Sequence, residues 1–150
     1  MKVGVLFPAG FESPGELIAD ARAMEAADVD SIWINEDAGE LDPWLMLAAI
    51  AAATNDVRLG LLPGPPSELS TMDERRVHTL QRLSRNRVVG SNERWQVVEV
   101  PADRAAWATI LQQERPGVDG VIVPHDPRLL DMLRNPEQEI DRPDLALAQG

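Results

Sequence analysis

Residues 31–64, SIWINEDAGELDPWLMLAAIAAATNDVRLGLLPG, contain the pattern that decides the fold of this chain. Two short apolar runs, Ile32 to Ile34 and Val57 to Leu62, flank a longer segment, Trp44 to Ala53, that is apolar on almost every side. These lengths predict a strand, a buried helix and a second strand. Asp42-Pro43 is typical of a helix start, because the carboxylate caps free N–H groups and proline at the first position loses no hydrogen bond. A parallel βαβ unit buried on both faces requires this apolar composition.

Strands and helices alternate along most of the remaining chain. Residues 13–16, Ser-Pro-Gly-Glu, have the pattern of a capping box before the first helix. The helix predicted to start at Ser70 has a core stripe of Val77, Leu80 and Leu83. Further helices are predicted to begin at Asp103 and Pro127. The predicted strands number six, at 2–7, 32–34, 57–62, 87–90, 95–100 and 117–123.

The alternation fails between the fourth and fifth predicted strands. From Val89 to Trp95 there are too few residues for a parallel crossover, which takes about a dozen or more. Either these two strands form an antiparallel hairpin that turns at Ser91-Asn92, or the second strand crosses to a distant place in the fold. A barrel whose middle units had been deleted would produce the same pattern.

Composition limits the class of protein. The 150 residues, 44% apolar and 26% charged, predict one globular domain over residues 1–134, followed by an acidic, proline-interrupted tail over residues 135–150. The formal net charge of −11 makes nucleic acid and anionic membranes improbable partners. The absence of cysteine excludes disulfides and thiolate metal sites. Because no apolar run is long enough to span a membrane and Met1 leads directly into a strand, we expect a cytoplasmic protein.

Six arginines cluster between residues 75 and 94 against the single acid Glu93. One interpretation is a solvated helix face whose arginines pair with acids elsewhere in the fold. The alternative is a binding site for a phosphate or an acidic partner.

Several residues resemble a known family. They are Trp33, Glu36, Asp37, Pro43, Ala52, Ala53, Thr54, Arg58, Leu59 and Gly60, and the likeness continues through Thr79, Leu80, Leu83, Ser84 and Arg87 to Gly90. In this order and spacing they resemble the luciferase-like flavin or deazaflavin oxidoreductases, the bacterial luciferase-like monooxygenases. The resemblance implies a TIM barrel, which takes about 250 residues. We therefore expect an α/β fold with an incomplete TIM-barrel-like parallel sheet and flanking helices, in a homodimer that covers the open side of the sheet.

Candidate catalytic residues follow the strands, because ligands of parallel α/β folds bind at the carboxyl ends of the strands. Glu36 and Asp37 follow the second strand, where the resemblance implies an acid beside a histidine, and Asp37 stands at the histidine position. They would act in proton transfer, or alternatively cap a loop or pair with arginine. His125 follows the last strand as a candidate base, while Asp126 is a candidate helix cap. Two isolated histidines do not form a metal signature.

The resemblance also implies a cofactor, FMN or a deazaflavin. Its ring would rest against Leu61 and Leu62, with Phe7 at the neighbouring strand end. Its phosphate requires a helix N-terminus or a glycine-rich turn, for which Gly90, Ser91 and Asn92 are candidates, together with the helix start at Pro127. Two functions remain open: an oxidoreductase whose cofactor supplies the chemistry, and a catalytically silent relative without a bound cofactor, kept as a dimeric binding or structural module.

Overall fold

A computed structural model describes residues 1–37, 39–62 and 71–134. Strands and helices alternate in the predicted order. They are β1 (Lys2–Phe7), α1 (Pro14–Ala26), β2 (Ser31–Asn35), α2 (Pro43–Ala53), β3 (Arg58–Leu62), α3 (Thr71–Ser84), β4 (Trp95–Val97), α4 (Arg104–Gln112), β5 (Gly120–Pro124) and α5 (Leu129–Arg134). Residues 63–70, with the predicted helix start at Ser70, and the predicted tail over residues 135–150 lie outside the described part. None of the described helices is long and apolar enough to cross a membrane.

The five strands form one parallel sheet in the order β3-β2-β1-β5-β4. The sheet is a half-barrel with helices against its outer side, so the prediction of an incomplete TIM-barrel-like α/β fold is confirmed. The count of six strands is wrong for the described residues. The predicted fourth strand, 87–90, forms a single parallel bridge between Val88 and Leu59 beside β3, because the chain turns away directly after Val89.

The strand that follows this turn lies at the opposite edge of the sheet. β4 pairs in parallel with β5, and Trp95 is opposite Gly120. The antiparallel hairpin is therefore the wrong alternative, and the crossing to a distant place is the correct one. The connection returns to the amino-terminal ends of the strands, where the Arg94 N–H donates to the Asp119 carboxylate at 2.7 Å.

Carboxylates cap two of the helices. The Trp44 and Leu45 N–H groups donate to Asp42 at 2.8 and 3.3 Å, which confirms the predicted start of α2. Asp103 caps α4 in the same way, through the Ala106 N–H at 2.7 Å. The capping box at residues 13–16 is wrong, since the Ser13 hydroxyl forms no capping hydrogen bond and the backbone carbonyl of Ser13 accepts the Glu16 N–H instead.

The main core lies between the sheet and the helices. Its largest fully buried side chains include Ile32, Ile34, Leu47, Ile50 and Leu59. Such an interface is what the uninterrupted apolar pattern of a parallel βαβ unit requires.

The predicted core stripe of α3 is correct only in part. Leu80 is buried, but Leu83 is 54% exposed, and the buried residue one turn after Leu80 is Ser84. A 3.6-residue turn places the fourth residue, rather than the third, almost directly over Leu80. Leu83 therefore lies on the outer surface of the helix.

Two tryptophans fill the concave side of the sheet. Trp33 and Trp95 have ring centroids 5.1 Å apart and pack with Val89 and Ile122. Each is paired directly with a glycine on the neighbouring strand, Trp33 with Gly60 and Trp95 with Gly120. The rings occupy the space that side chains at these glycines would fill. A Cβ atom at either position would lie 2.3 Å from a ring carbon.

An ionic cluster closes the amino-terminal end of the same concave side. Arg58 binds Glu93 at 2.6 Å and Asp30 at 2.9 Å, and Lys2 lies 3.4 Å from Glu93. Hydrogen bonding from Arg58 is the main reason that the pKa of Glu93 falls to about 2, against the opposing effect of partial burial. The pKa of Arg58 is raised, chiefly by the same bond. Bonds of this charge-assisted kind hold the turn after Val89 against the strand ends.

Candidate functional site

The carboxyl ends of β1, β2, β3 and β5 meet at one edge of the sheet, at Phe7, Asn35, Leu62 and Pro124. Backbone contacts join the β2 and β3 ends directly, because the Glu36 N–H donates to the Leu62 carbonyl at 2.6 Å. The Asn35 side-chain oxygen accepts the Asp37 N–H at 3.0 Å and so fixes the turn after β2. The structure therefore brings Asn35, Glu36, Asp37 and Leu62 together.

Glu36 and Asp37 both have exposed side chains. Within residues 1–37, 39–62 and 71–134, neither carboxylate forms an ion pair. The alternative in which they pair with arginine finds no support in these residues, and neither side chain caps a described helix. Exposed carboxylates at a strand end are accessible to a ligand, and their catalytic role stays a prediction.

The three predicted ring contacts lie on different sides of the sheet. Phe7 and Leu61 are buried in the main core between the sheet and the helices. Leu62 points to the concave side and packs near Trp33 and Ile122. Of the three, Leu62 is the one placed where a ring above the concave side would contact it.

His125 is held at the end of β5 by a 2.8 Å bond from its N–H to the Leu6 carbonyl. Its ring meets the edge of Phe7 with centroids 5.3 Å apart, and its Nε2 lies 3.9 Å from the Asp20 carboxylate of α1. These neighbours place the imidazole on the helix side of the sheet. The described contacts do not bring it to Glu36 or Asp37. Asp126 accepts the Arg128 N–H on its carboxylate and the Leu129 N–H on its backbone carbonyl, both at 2.9 Å. It thereby fixes the turn that leads into α5, which begins at Leu129 and not at the predicted Pro127.

Gly90, Ser91 and Asn92 are exposed and lie within one turn of Glu93, whose N–H donates to the Gly90 carbonyl at 3.3 Å. Because Glu93 binds Arg58 at the start of β3, this turn lies toward the amino-terminal ends of the strands. It is therefore distant from the edge that carries Asn35.

Comparison with known proteins agrees with this arrangement of strands. A family model for luciferase-like monooxygenases matches residues 1–89, which is more than half of the chain. The chain belongs to the luciferase-like monooxygenase family. No curated protein matches it. The match includes the strand ends at Asn35 and Leu62 and so covers Glu36 and Asp37, whereas Gly90 and His125 lie beyond the matched residues.

One residue of the family-like pattern, Arg87, has a clear structural task. Its guanidinium donates to the carbonyls of Ala51, Thr54 and Val57 and to the Thr54 hydroxyl, at 2.8 to 3.1 Å, while its Nε donates to the Ser84 carbonyl. Burial lowers the pKa of Arg87. These bonds satisfy carbonyls at the end of α2 that have no partner within the helix. All three nitrogens of Arg87 therefore already donate to the protein, so this member of the arginine cluster has no donor left for a phosphate.

Glu25 complements Arg87 at the same helix end. Its carboxylate accepts the N–H groups of Asn55, Asp56 and Val57 at 2.8 to 3.1 Å. Partial burial raises the pKa of Glu25, but these three backbone bonds together outweigh it and the net shift is downward. The α2–β3 connection is thus held by one cation and one anion, both within the matched part of the family.

Among the described residues, the starts of α1, α2, α4 and α5 do not fit a phosphate. Helix N-termini are the usual phosphate sites, but the N-termini of α2 and α4 are already capped by the carboxylates of Asp42 and Asp103. A negative charge at that position repels an anion. The first turn of α1 carries Glu16, and α5 has only six residues. In the described ranges, no group of acidic residues and histidines has the arrangement of a metal site.

Two features of the structure were not predicted from the sequence. The first is the Trp33–Trp95 pair, whose only sequence signal is a glycine within an apolar strand, which indicates close approach of another group. The second is a groove of about 420 Å³ between α2 and α3, here called the α2–α3 groove. It is lined by Asp42, Trp44, Leu45, Ala48, Met72, Arg75, Arg76, Thr79, Leu80 and Leu83. Leu45, Met72 and Leu83 are 71%, 57% and 54% exposed there.

Proposed function

We propose that this luciferase-like protein is an oxidoreductase homologue that binds a flavin or deazaflavin ring at the carboxyl edge of β2 and β3. The observation that carries the proposal is the meeting of Asn35, Glu36 and Leu62 at that edge, through the 2.6 Å bond between the Glu36 N–H and the Leu62 carbonyl. This junction lies within the part of the chain that matches the family. Ligands of parallel α/β folds bind at this edge of the sheet.

The bound ring would supply the hydride or oxygen chemistry. Leu62, on the concave side, offers an apolar surface to one face of the ring. The turn fixed by Asn35 holds Glu36 and Asp37 at the rim, where an exposed carboxylate is able to accept or return a proton from a substrate. Leu62, Asn35, Glu36 and Asp37 do not cover the ring, so they would not exclude water from it.

Titration with FMN and, separately, with a deazaflavin cofactor tests this proposal. We expect a change in the visible absorption of the cofactor on binding, and an affinity that falls about tenfold in Leu62→Ser, since that change removes an apolar contact worth about 1–2 kcal/mol. Leu41→Ser is the matched control, because Leu41 is a half-exposed leucine in the neighbouring loop. Binding of neither cofactor at millimolar concentration, or equal losses in the two variants, would reject the site.

Asp37→Asn tests catalysis separately from binding. If Asp37 transfers a proton, turnover falls about a hundredfold or more with little change in cofactor affinity. An unchanged turnover would assign Asp37 to the turn alone.

A catalytically silent relative is the second candidate, and one observation favours it. The helix N-termini that would hold a phosphate carry the capping carboxylates of Asp42 and Asp103. Under this proposal the protein acts as a dimeric binding or structural module, and neither cofactor binds in the titration above. Fold alone does not determine which of the two functions is present.

A homodimer is part of both candidates, and the α2–α3 groove supports it. Leu45, Met72 and Leu83 place three large exposed apolar side chains side by side, and such patches are typical of interaction surfaces. The double variant Leu45→Glu/Leu83→Glu is expected to sediment as a monomer. Phe11→Glu is the matched control, because Phe11 is 37% exposed before α1, outside the groove and away from the edge strands of the sheet. A monomeric unmodified protein at micromolar concentration would contradict the homodimer.

A further inference from the structure

The α2–α3 groove is unusual in this acidic protein because its exposed wall carries cations. α2 itself contributes no charged side chain to the groove, although its N-cap Asp42 lies at the groove with its carboxylate bonded to the Trp44 and Leu45 N–H groups. α3 contributes Arg75 and Arg76 beside Leu80 and Leu83. Arg76 is partly paired with Asp73 at 3.1 Å, on the exposed surface of the same helix. Apolar floor and cationic rim together fit a ligand that has both apolar anchors and negative charge.

The chain itself contains a segment of that chemistry. Residues 135–150, NPEQEIDRPDLALAQG, carry four acids, one arginine and three large aliphatic side chains. The acids are Glu137, Glu139, Asp141 and Asp144, and the aliphatic residues are Ile140, Leu145 and Leu147. Without this segment, whose own formal charge is −3, the chain still carries a formal net charge of −8, so much of its surface repels the segment and a groove with two arginines on its wall is a favourable place for it.

The segment is long enough to reach the groove from its own α5. Sixteen residues follow Arg134, and at about 3.3–3.6 Å per residue they span up to roughly 50 Å. A folded domain of this size has a radius of gyration of about 14 Å, so the segment reaches any part of its surface. Tethering also places the segment near the groove at a millimolar effective concentration.

We infer that residues 135–150 of the same chain dock in the α2–α3 groove, with Leu145 and Leu147 against the apolar floor and the acids toward Arg75 and Arg76. The docked segment competes with a second copy for Leu45, Met72 and Leu83. This competition rests on the homodimer proposed above, whereas docking itself does not.

Distance measurements between two spin labels test the docking. Because the chain has no cysteine, labels are attached cleanly to His78→Cys, an exposed position beside the groove, and Ala148→Cys. Docking predicts a short, narrow distance distribution. The matched control pair uses Glu114→Cys, an exposed position after α4, in place of the groove label. Equally broad distributions for the two pairs would overturn the inference.

Two further variants identify the forces that hold the segment. Leu145→Ser/Leu147→Ser removes the apolar anchors without changing length or charge, and it should broaden the distribution from the groove pair. Arg75→Glu/Arg76→Glu should do the same by repulsion, and high salt should weaken docking in the unmodified segment. A narrow distribution that persists in both variants would place the segment elsewhere and reject the groove.

Dilution separates docking within one chain from exchange between copies. When doubly labelled protein is mixed with an excess of unlabelled protein, the short distance remains if each segment docks on its own chain. If the short distance disappears, the segment belongs to a second copy and the inference as stated is wrong.

The competition has a measurable effect on self-association. For an intrinsic dissociation constant of about 0.1 mM and an effective concentration of about 1 mM, the segment leaves roughly one groove in ten free. Leu145→Ser/Leu147→Ser should therefore strengthen dimerisation at least about tenfold. A short label distance with no dimer in any variant would reject the homodimer and retain the docking. A dimer whose affinity is unchanged in Leu145→Ser/Leu147→Ser would reject the competition.

Discussion

Gly60→Ala tests the packing on which this short fold depends. A Cβ atom at Gly60 would lie 2.3 Å from two ring carbons of Trp33, its direct partner across the β2–β3 ladder. The ring has no space to withdraw, because it is 5% exposed, its other neighbour is the Trp95 ring, and its Nε1–H donates to the Ser31 hydroxyl at 2.8 Å. The added methyl group therefore forces a rearrangement of the concave side.

The expected loss follows from these distances. Carbon atoms in contact prefer about 3.5–4.0 Å, so the ring or the strand must move by more than about 1 Å. Such overpacking costs about 1–3 kcal/mol, and loss of the Trp33–Ser31 bond adds about 1 kcal/mol. Replacing glycine by alanine returns about 0.4–1 kcal/mol by restricting the unfolded chain. We expect Gly60→Ala to lower the free energy of unfolding by about 2–3 kcal/mol, out of a typical total of about 5–15 kcal/mol.

Urea unfolding followed by circular dichroism measures this loss. Gly10→Ala is the matched control, because no atom lies within 4 Å of its added Cβ, and it should leave stability unchanged or slightly raised. Trp33→Leu combined with Gly60→Ala should cost less than the sum of the single changes, since the smaller side chain removes the clash. A Gly60→Ala protein within about 0.5 kcal/mol of the unmodified chain would refute the assigned packing.

Three further predictions concern charged residues. Glu93→Gln should lower the unfolding free energy by about 1–2 kcal/mol at pH 7, after discounting for partial exposure. The loss should vanish as the pH falls from 4.5 to about 2, which are the pKa values of Glu93 in the unfolded and the folded chain. An equal loss at pH 2 in urea unfolding would contradict the ion cluster. Arg87→Lys should lower the unfolding free energy by about 1–3 kcal/mol, because a lysine ammonium cannot reproduce the N–H donors of the guanidinium. Arg94→Lys should leave the unfolding free energy unchanged in the same assay. Asp42→Ala should cost about 1 kcal/mol by calorimetry through loss of the α2 cap, and no change in melting temperature would count against the cap.

The fold was predictable where local patterns and tertiary structure agree. The βαβ unit around α2 follows from two apolar runs, the Asp42-Pro43 start and an apolar helix, and the structure confirms each of these. Leu83 was assigned to the core because it is apolar and at helical spacing from Leu80, but the buried side of α3 runs through Leu80 and Ser84. The predicted strand at 87–90 is only a single bridge at Val88. A short apolar run indicates burial, and burial alone does not distinguish a strand from other buried structure.

The candidate site was predictable only at its centre. Parallel strand ends must share an edge, so Asn35, Glu36 and Leu62 were expected near one another. The position of Gly90 was not, because it depends on a turn that Glu93 holds through an ion pair with Arg58, a contact between residues 35 positions apart. The sequence also did not show which face of β3 each side chain occupies. The register of β3 places Leu61 in the main core.

The stabilising residues of this half-barrel and the proposed site lie at opposite ends of the strands. In a complete barrel, layers of side chains from alternate strands fill the interior. Here five strands curve around Trp33 and Trp95, whose large rings take the space opened by glycines, and Glu93 closes the amino-terminal end. Trp33, Trp95 and Glu93 stabilise the fold, because replacing either tryptophan leaves a cavity and replacing Glu93 leaves Arg58 without one of its partners. The site proposed at the carboxyl edge does not depend on these residues, so Asp37→Asn, a change at an exposed side chain of that edge, should leave the melting temperature almost unchanged.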